Sequence, residues 1–237
     1  MKPAASFVLL LIGLLAALNP VRAAGETPTV DLALVLAVDI SSSINPEQYE
    51  LQMAGLAQAF EDRAVQDAIL SGRHGAILVT LVAWSDKPRV AIPWTVIGSE
   101  RDATRLGEVV RGLPRIAGNF TCMTDTMHFI GDRVLPLQPG PAERQIVDVS
   151  GDGSENCNPE TPLAIVRDGL VTRGVTINGL PILEGREADT LEQWYADNVI
   201  GGPFSFVLPA HGYGDFARAI RRKFIVEISM ALAAAAP

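Results

Sequence analysis

Histidine is scarce in this chain, and the three present, His74, His128 and His211, sit in unrelated segments without the spacing of a zinc site. Lysine and arginine are outnumbered, 19 against 27 acidic residues, and they form no basic run. An acidic chain of this kind argues against nucleic acid and anionic membrane surfaces as partners. Long apolar runs are missing as well. The longest, residues 7–18, is too short for a membrane span of about 20 residues. No Gly-x-Ser-x-Gly elbow for a nucleophilic serine is present. No glycine-rich dinucleotide fingerprint follows the first strand-like run. Cysteine is limited to Cys122 and Cys157.

The short apolar run has its own meaning. Lys2 precedes it, and Val21-Arg22-Ala23 follows with small residues where a signal peptidase reads. Residues 1–23 therefore read as a signal peptide. No cysteine follows the cleavage region to carry a lipid anchor, and no later stretch would span a bilayer. The expected location is the bacterial periplasm or outside the cell. Loss of Lys2 and Arg22 would take the net charge two units below the −8 of the whole sequence.

The remainder is long enough for one α/β domain with a full core, over residues 31–229. Apolar runs at 32–38, 76–84, 90–97, 145–149, 176–182 and 204–208 predict six strands. Helical spacing predicts helices through 49–60 and over 102–113, 124–135, 162–172, 190–198 and 215–229. Asn45-Pro46 marks a helix start. The turn Ser85-Asp86-Lys87-Pro88 makes the second and third strands an antiparallel hairpin at a sheet edge. Strand–helix alternation then predicts a doubly wound, mostly parallel six-stranded sheet with helices on both faces. The alanine-rich residues 230–237 read as a disordered tail.

Ligands of such sheets bind beyond the carboxyl ends of the strands. Two loops there carry oxygen donors. Asp39-Ile40-Ser41-Ser42-Ser43 places a carboxylate and two hydroxyls on alternate residues after the first strand. Ser150-Gly151-Asp152-Gly153 follows the fourth. Thr121 lies ahead of a helix between them. These are hard donors suited to Mg2+, Mn2+ or Ca2+. Asp148-x-Ser150-x-Asp152-Gly153 mimics the start of an EF-hand loop, but position twelve is Pro159 where a glutamate is required, so Asp148 reads as a buried, hydrogen-bonded carboxylate. Trp84, Trp94 and Trp194 read as core or boundary residues. His211 is the one histidine placed to act as a base, and nothing else supports that role.

Asp39-x-Ser41-x-Ser43, Thr121 and Asp152 resemble, in order and context, the metal-ion-dependent adhesion site of von Willebrand factor type A domains. Trp84-Ser85, Trp94-Thr95-Val96-Ile97, the 147–153 segment, Ile177-Asn178-Gly179-Leu180 and Asn198-Val199-Ile200-Gly201-Gly202 are similar to segments of an exported bacterial family with this fold and no assigned function. The resemblance implies Ser41, Ser43 and Thr121 as direct metal ligands and Asp39 and Asp152 as ligands through water. It departs at Gly118-Asn119-Phe120, where Gly-Gly-Thr or a similar run is usual. Thr124 and Thr126 lie nearby, and the match falls on Thr121.

Hydroxyls in the inner shell leave the cation under-neutralised. It then favours an Asp or Glu carboxylate from a partner protein. The resemblance thus implies a non-catalytic binding module. A metal-assisted enzyme or enzyme subunit, or a structural fold without metal, are the other readings. A Cys122–Cys157 disulfide, favoured in an exported protein, would tie two of the metal loops together.

Overall fold

The computed structural model describes residues 28–116 and 118–234. The expected signal peptide at 1–23 lies outside the described residues. β1 (Leu32–Asp39) is buried along its whole length because it lies at the centre of the sheet, with helices over both faces. Its pleat sends alternate side chains to opposite sides. Leu32, Leu34, Leu36 and Val38 enter the core under α1 (Pro46–Glu61), α3 (Glu100–Arg111) and α7 (Phe216–Ala234). Val35 and Ala37 enter the opposite core under α4 (Met123–Phe129), α5 (Leu163–Thr172) and α6 (Leu191–Asn198).

The sheet has five strands in the order β3-β2-β1-β4-β5. β2 (Ile77–Trp84), β4 (Gln145–Gly151) and β5 (Val175–Pro181) continue the parallel ladder, and β3 (Arg89–Ile97) pairs antiparallel with β2 at the edge. Pro93 in β3 is tolerated because an edge strand has one unpaired side. The chain winds outward from β1 to β3, then returns to β4 on the other side of β1. The winding reverses between β1 and β4, which opens a crevice beyond their carboxyl ends.

The expected sixth strand is not continuous. Residues 204–208 meet β5 through one isolated bridge, Gly179 with Val207, and the flanking chain adds single bridges of Ile177 with Gly201 and of Ile182 with Ala210. Pro203 and Pro209 lack the N–H a ladder needs. Gly202 and Phe204 hold φ values of +89° and +59°, which bend the backbone out of the extended region. Asp62 ends α1 and caps a separate helix, α2 (Arg63–Leu70), by accepting from the N–H groups of Ala64 and Val65. The helix expected over 124–135 breaks into α4, a π turn at Ile130–Val134 and a 3-10 turn at Leu135–Leu137, where Pro136 removes a donor. The last helix continues to Ala234, past the 229 boundary expected from sequence. Among the described residues no helix is long and apolar enough to cross a membrane.

Candidate metal centre

Asp39 ends β1 and is fully buried. Its Oδ1 accepts the Ser41 N–H at 2.8 Å, and the Ile44 N–H donates to the Ser41 carbonyl at 3.2 Å. These bonds curl the β1–α1 loop so that the Ser41 and Ser43 hydroxyls lie 3.1 Å apart. The Asn45–Gln48 capping box and Pro46 start α1 directly after them. The Ser43 hydroxyl then donates to Asp152 Oδ1 at 2.7 Å. Asp39, Ser41, Ser43 and Asp152 are thereby linked in one continuous set of contacts across the crevice between β1 and β4. Gly151 permits this approach: a Cβ there would stand 2.9 Å from Asp39 Oδ2 and 3.1 Å from the Tyr195 hydroxyl.

Thr121 comes from the loop before α4. It lines a cavity of about 360 Å³ together with Ser43, Asp152, Gln48, Glu184 and Glu187. Its hydroxyl lies 3.7 Å from the position of a Cβ on Gly153. The loop is fastened from several sides. The Thr121 N–H donates to Asn156 Oδ1 at 2.9 Å, and the Asn156 N–H donates back to the Thr121 carbonyl at 3.2 Å. The N–H groups of Asn119 and Phe120 converge on Asp86 Oδ1 at 2.7 and 2.6 Å. The Ser42 hydroxyl holds the Asn119 carbonyl at 3.0 Å. The disulfide forms between Cys122 and Cys157, with Cα atoms 5.0 Å apart, and joins the Thr121 loop to the loop after β4. Of the neighbouring threonines, Thr126 turns its hydroxyl back onto the Cys122 carbonyl at 2.8 Å, and the Thr124 hydroxyl is buried without a partner. Of the five residues singled out from sequence, Ser43, Thr121 and Asp152 line this cavity, while Asp39 and Ser41 lie buried behind it and are joined to it through the Ser41–Ser43 contact.

The crevice is electrostatically unbalanced. Burial pushes the Asp39 carboxyl up to about 7, and the nearby Asp152 adds to the shift. Asp152 is raised too, by burial first and also by Glu184, while the Ser43 hydroxyl pulls it down. The Tyr213 hydroxyl is raised by its own burial and then by Asp152 and Asp39. It lies beside the Asp152 carboxylate but outside hydrogen-bonding geometry. Asp39 Oδ2 is buried and has no partner. A buried carboxylate oxygen with no donor and no cation is expensive, and its usual resolution is a proton or a metal.

Glu184 and Glu187, beyond the carboxyl end of β5, were not anticipated. Glu184 accepts from the Gln48 side-chain amide at 2.8 Å and from the Tyr213 N–H at 3.0 Å. Glu187 accepts the Ser154 N–H at 2.8 Å. The strand-end rule that marked the other two loops applies to this one equally. Tyr195 and Tyr213 carry no such signal, since only packing brings them to the crevice.

The remaining candidates lie elsewhere. Asp148 is buried in the middle of β4 and pairs with the Lys223 ammonium of α7 at 2.8 Å, away from any EF-hand geometry. His74 pairs with Glu143 at 3.0 Å, His128 is exposed on α4, and none of the three histidines lines the cavity. Trp84 is fully buried, and the Trp94 indole N–H donates to the Val134 carbonyl at 3.1 Å.

The doubly wound sheet with one antiparallel edge, carrying the Asp-x-Ser-x-Ser loop at its switch point, has the fold of a von Willebrand factor type A domain. The chain belongs to the family described as "Protein of unknown function (DUF1194)", whose model matches residues 29–232. Among solved structures it is similar to proximal thread matrix protein 1 (PTMP1) from the mussel byssus with a zinc-occupied MIDAS motif, at a TM-score of 0.60 and 18% identity over 86% of this chain and 49% of that one. It is similar to a von Willebrand factor type A protein from Catenulispora acidiphila, at a TM-score of 0.59 and 18% identity over 86% of this chain and 43% of that one. It also resembles the pilus adhesin SpaC from Lactobacillus rhamnosus GG, at a TM-score of 0.62 and 12% identity over 87% of this chain and 32% of that one. The chain spans about half or less of the length of these proteins, and likeness at such identity is a likeness of fold. No curated protein matches the chain.

Proposed function

We propose that this protein is an exported, metal-dependent binding module without catalytic activity of its own. Ser41, Ser43 and Thr121 would hold a divalent cation, Mg2+ or else Mn2+ or Ca2+, with Asp39 and Asp152 acting through water. The donor set fits the ion: every candidate atom is a hard oxygen, and the inner ones are neutral. When bound, the cation supplies a positive centre able to take one more anionic oxygen, an Asp or Glu carboxylate of a partner protein. The observation that carries this reading is the buried, unpartnered Oδ2 of Asp39 beside two converged serine hydroxyls. The zinc-occupied motif of the mussel relative supports a cation at this place in the fold.

The absence of catalysis rests on the roles left over. The titratable groups nearest the Ser41–Ser43 pair, Asp39 and Asp152, are needed as ligands. Export rests on the leader-like residues 1–23 and agrees with the disulfide. The test is thermal melting of wild type and Asp39→Ala, with EDTA and with added Mg2+ or Mn2+. Metal should raise the melting temperature of wild type alone. No shift with any divalent ion would end the metal reading, and metal-dependent ester or phosphate hydrolysis lost in Asp39→Ala would establish an enzyme instead.

A further inference from the structure

We infer that the cleft between α1 and the chain leaving α3 is a second ligand site, one that takes a small apolar carboxylate. Its volume is about 680 Å³, within the range of small-molecule sites. Met53, Ala54, Leu113 and the Tyr49 ring make its apolar wall. The Tyr49 hydroxyl is already used, donating to the Leu113 carbonyl at 3.1 Å, so the ring presents its apolar body to the cleft.

Arg115 supplies the charge. Its Nη2 donates to the carbonyl of Ser41 at 3.1 Å and to that of Ile44. Its Nε is buried and finds no acceptor. Among the described residues no carboxylate comes within ion-pair distance of it, although the chain carries a net charge of −8. Arg89, whose buried Nε also lacks an acceptor, acts with Arg115 on Tyr49 and adds positive potential on the same side. The guanidinium at the other end of the cleft is not available: Arg111 holds Glu61 through two bonds of 2.9 Å. Glu50 is exposed on the rim and repels an anion there. An apolar body against Met53 and Leu113 with its carboxylate at Arg115 satisfies both the wall and the unpaired charge.

This cleft is not the proposed metal cavity. The first turn of α1 separates them, with Gln48 facing one and Tyr49 the other. Arg115 nevertheless touches the Ser41–Ile44 loop, so a bound anion would hold the guanidinium that steadies the serine loop.

The experiment is calorimetric titration of the whole chain with octanoate, octanol and octylamine in the presence of EDTA. Octanoate should bind wild type at least tenfold tighter than octanol or octylamine. Ala54→Phe, which fills the cleft from a helix position, should weaken octanoate at least tenfold while leaving the melting temperature in place. Arg115→Gln should abolish the preference for octanoate over octanol. Equal binding of octanoate and octanol to wild type, or unchanged binding by Ala54→Phe, would overturn the assignment. So would octanoate binding that requires Mg2+, because the carboxylate would then be on the metal. Since the decisive titrations are done without metal, a failure of the metal reading leaves them intact.

Discussion

The Ser43 hydroxyl donates to Asp152 Oδ1 at 2.7 Å, a contact between residues 109 apart in the chain. It closes the crevice between the β1 and β4 loops. Ser43 is exposed and Asp152 half-buried, so the bond is worth only about 0.5–1.5 kcal/mol to the fold. Ser43→Ala should therefore change stability little and lower Mg2+ affinity at least tenfold. Urea denaturation and metal titration of the same variant would separate the two effects.

A cation at the proposed site should compete with a proton for Asp39. Its carboxyl is raised to about 7, so metal binding at pH 6 must displace a proton. Mg2+ affinity should rise between pH 6 and pH 8 and level off above. Isothermal titration in buffers of different ionisation heat would also detect the released proton.

The metal-free protein should show the opposite trend in stability. An acid whose pKa is raised by folding binds its proton more tightly in the folded chain. Between its ordinary value of 3.8 and about 7, the fold loses stability as pH rises. Glu227 is raised by burial and by Asp148, and contributes in the same direction. With EDTA present, the chain should be more stable at pH 5 than at pH 8 by about 1 kcal/mol or more. Asp39→Asn should flatten that slope and be more stable than metal-free wild type at pH 8.

Lys223 should be indispensable to the fold. Its ammonium is fully buried between Asp148 and Glu227, and Glu227 also accepts from the Asn178 side-chain amide at 2.7 Å. Lys223→Met leaves two buried carboxylates without a cation and should cost about 3–5 kcal/mol in chemical denaturation. Lys223→Met with Asp148→Asn and Glu227→Gln should recover part of that loss.

The Cys122–Cys157 bridge spans a sequence separation of 35 and joins two loops of the proposed metal site. Denatured, unreduced protein should show no titratable thiol. Reduction, or replacement of both cysteines by alanine, should lower stability by about 3–4 kcal/mol on the chain-entropy estimate. It should also weaken metal binding, because the Thr121 loop loses its covalent tie to the loop after β4.

Much of the fold is legible in local pattern. The near-continuous apolar runs of β1 and β2, bounded by turn residues, read as strands covered on both faces, and the Asn45-Pro46 start of α1 is a local capping event. Asp39, Ser41 and Ser43 are legible because their alternation after a strand is itself local. The sixth strand misleads because its apolar residues are real but its prolines and the left-handed Gly202 and Phe204 prevent a ladder. The break after Phe129 and the extra helix α2 depend on caps and turns that weak periodicity does not reveal.

Sequence alone was enough to establish the alternation of strands and helices, the strand-end loops and the oxygen donors they carry, since each depends on neighbours a few residues away. Folding was needed to bring Glu184, Tyr195 and Tyr213 to the crevice, to bury Asp39 without a partner for Oδ2, and to leave Arg115 facing a cleft without a counter-charge. Those properties come from groups distant in the chain sharing a space from which water is excluded, and the energy of a charge there is set by its surroundings rather than by its residue type.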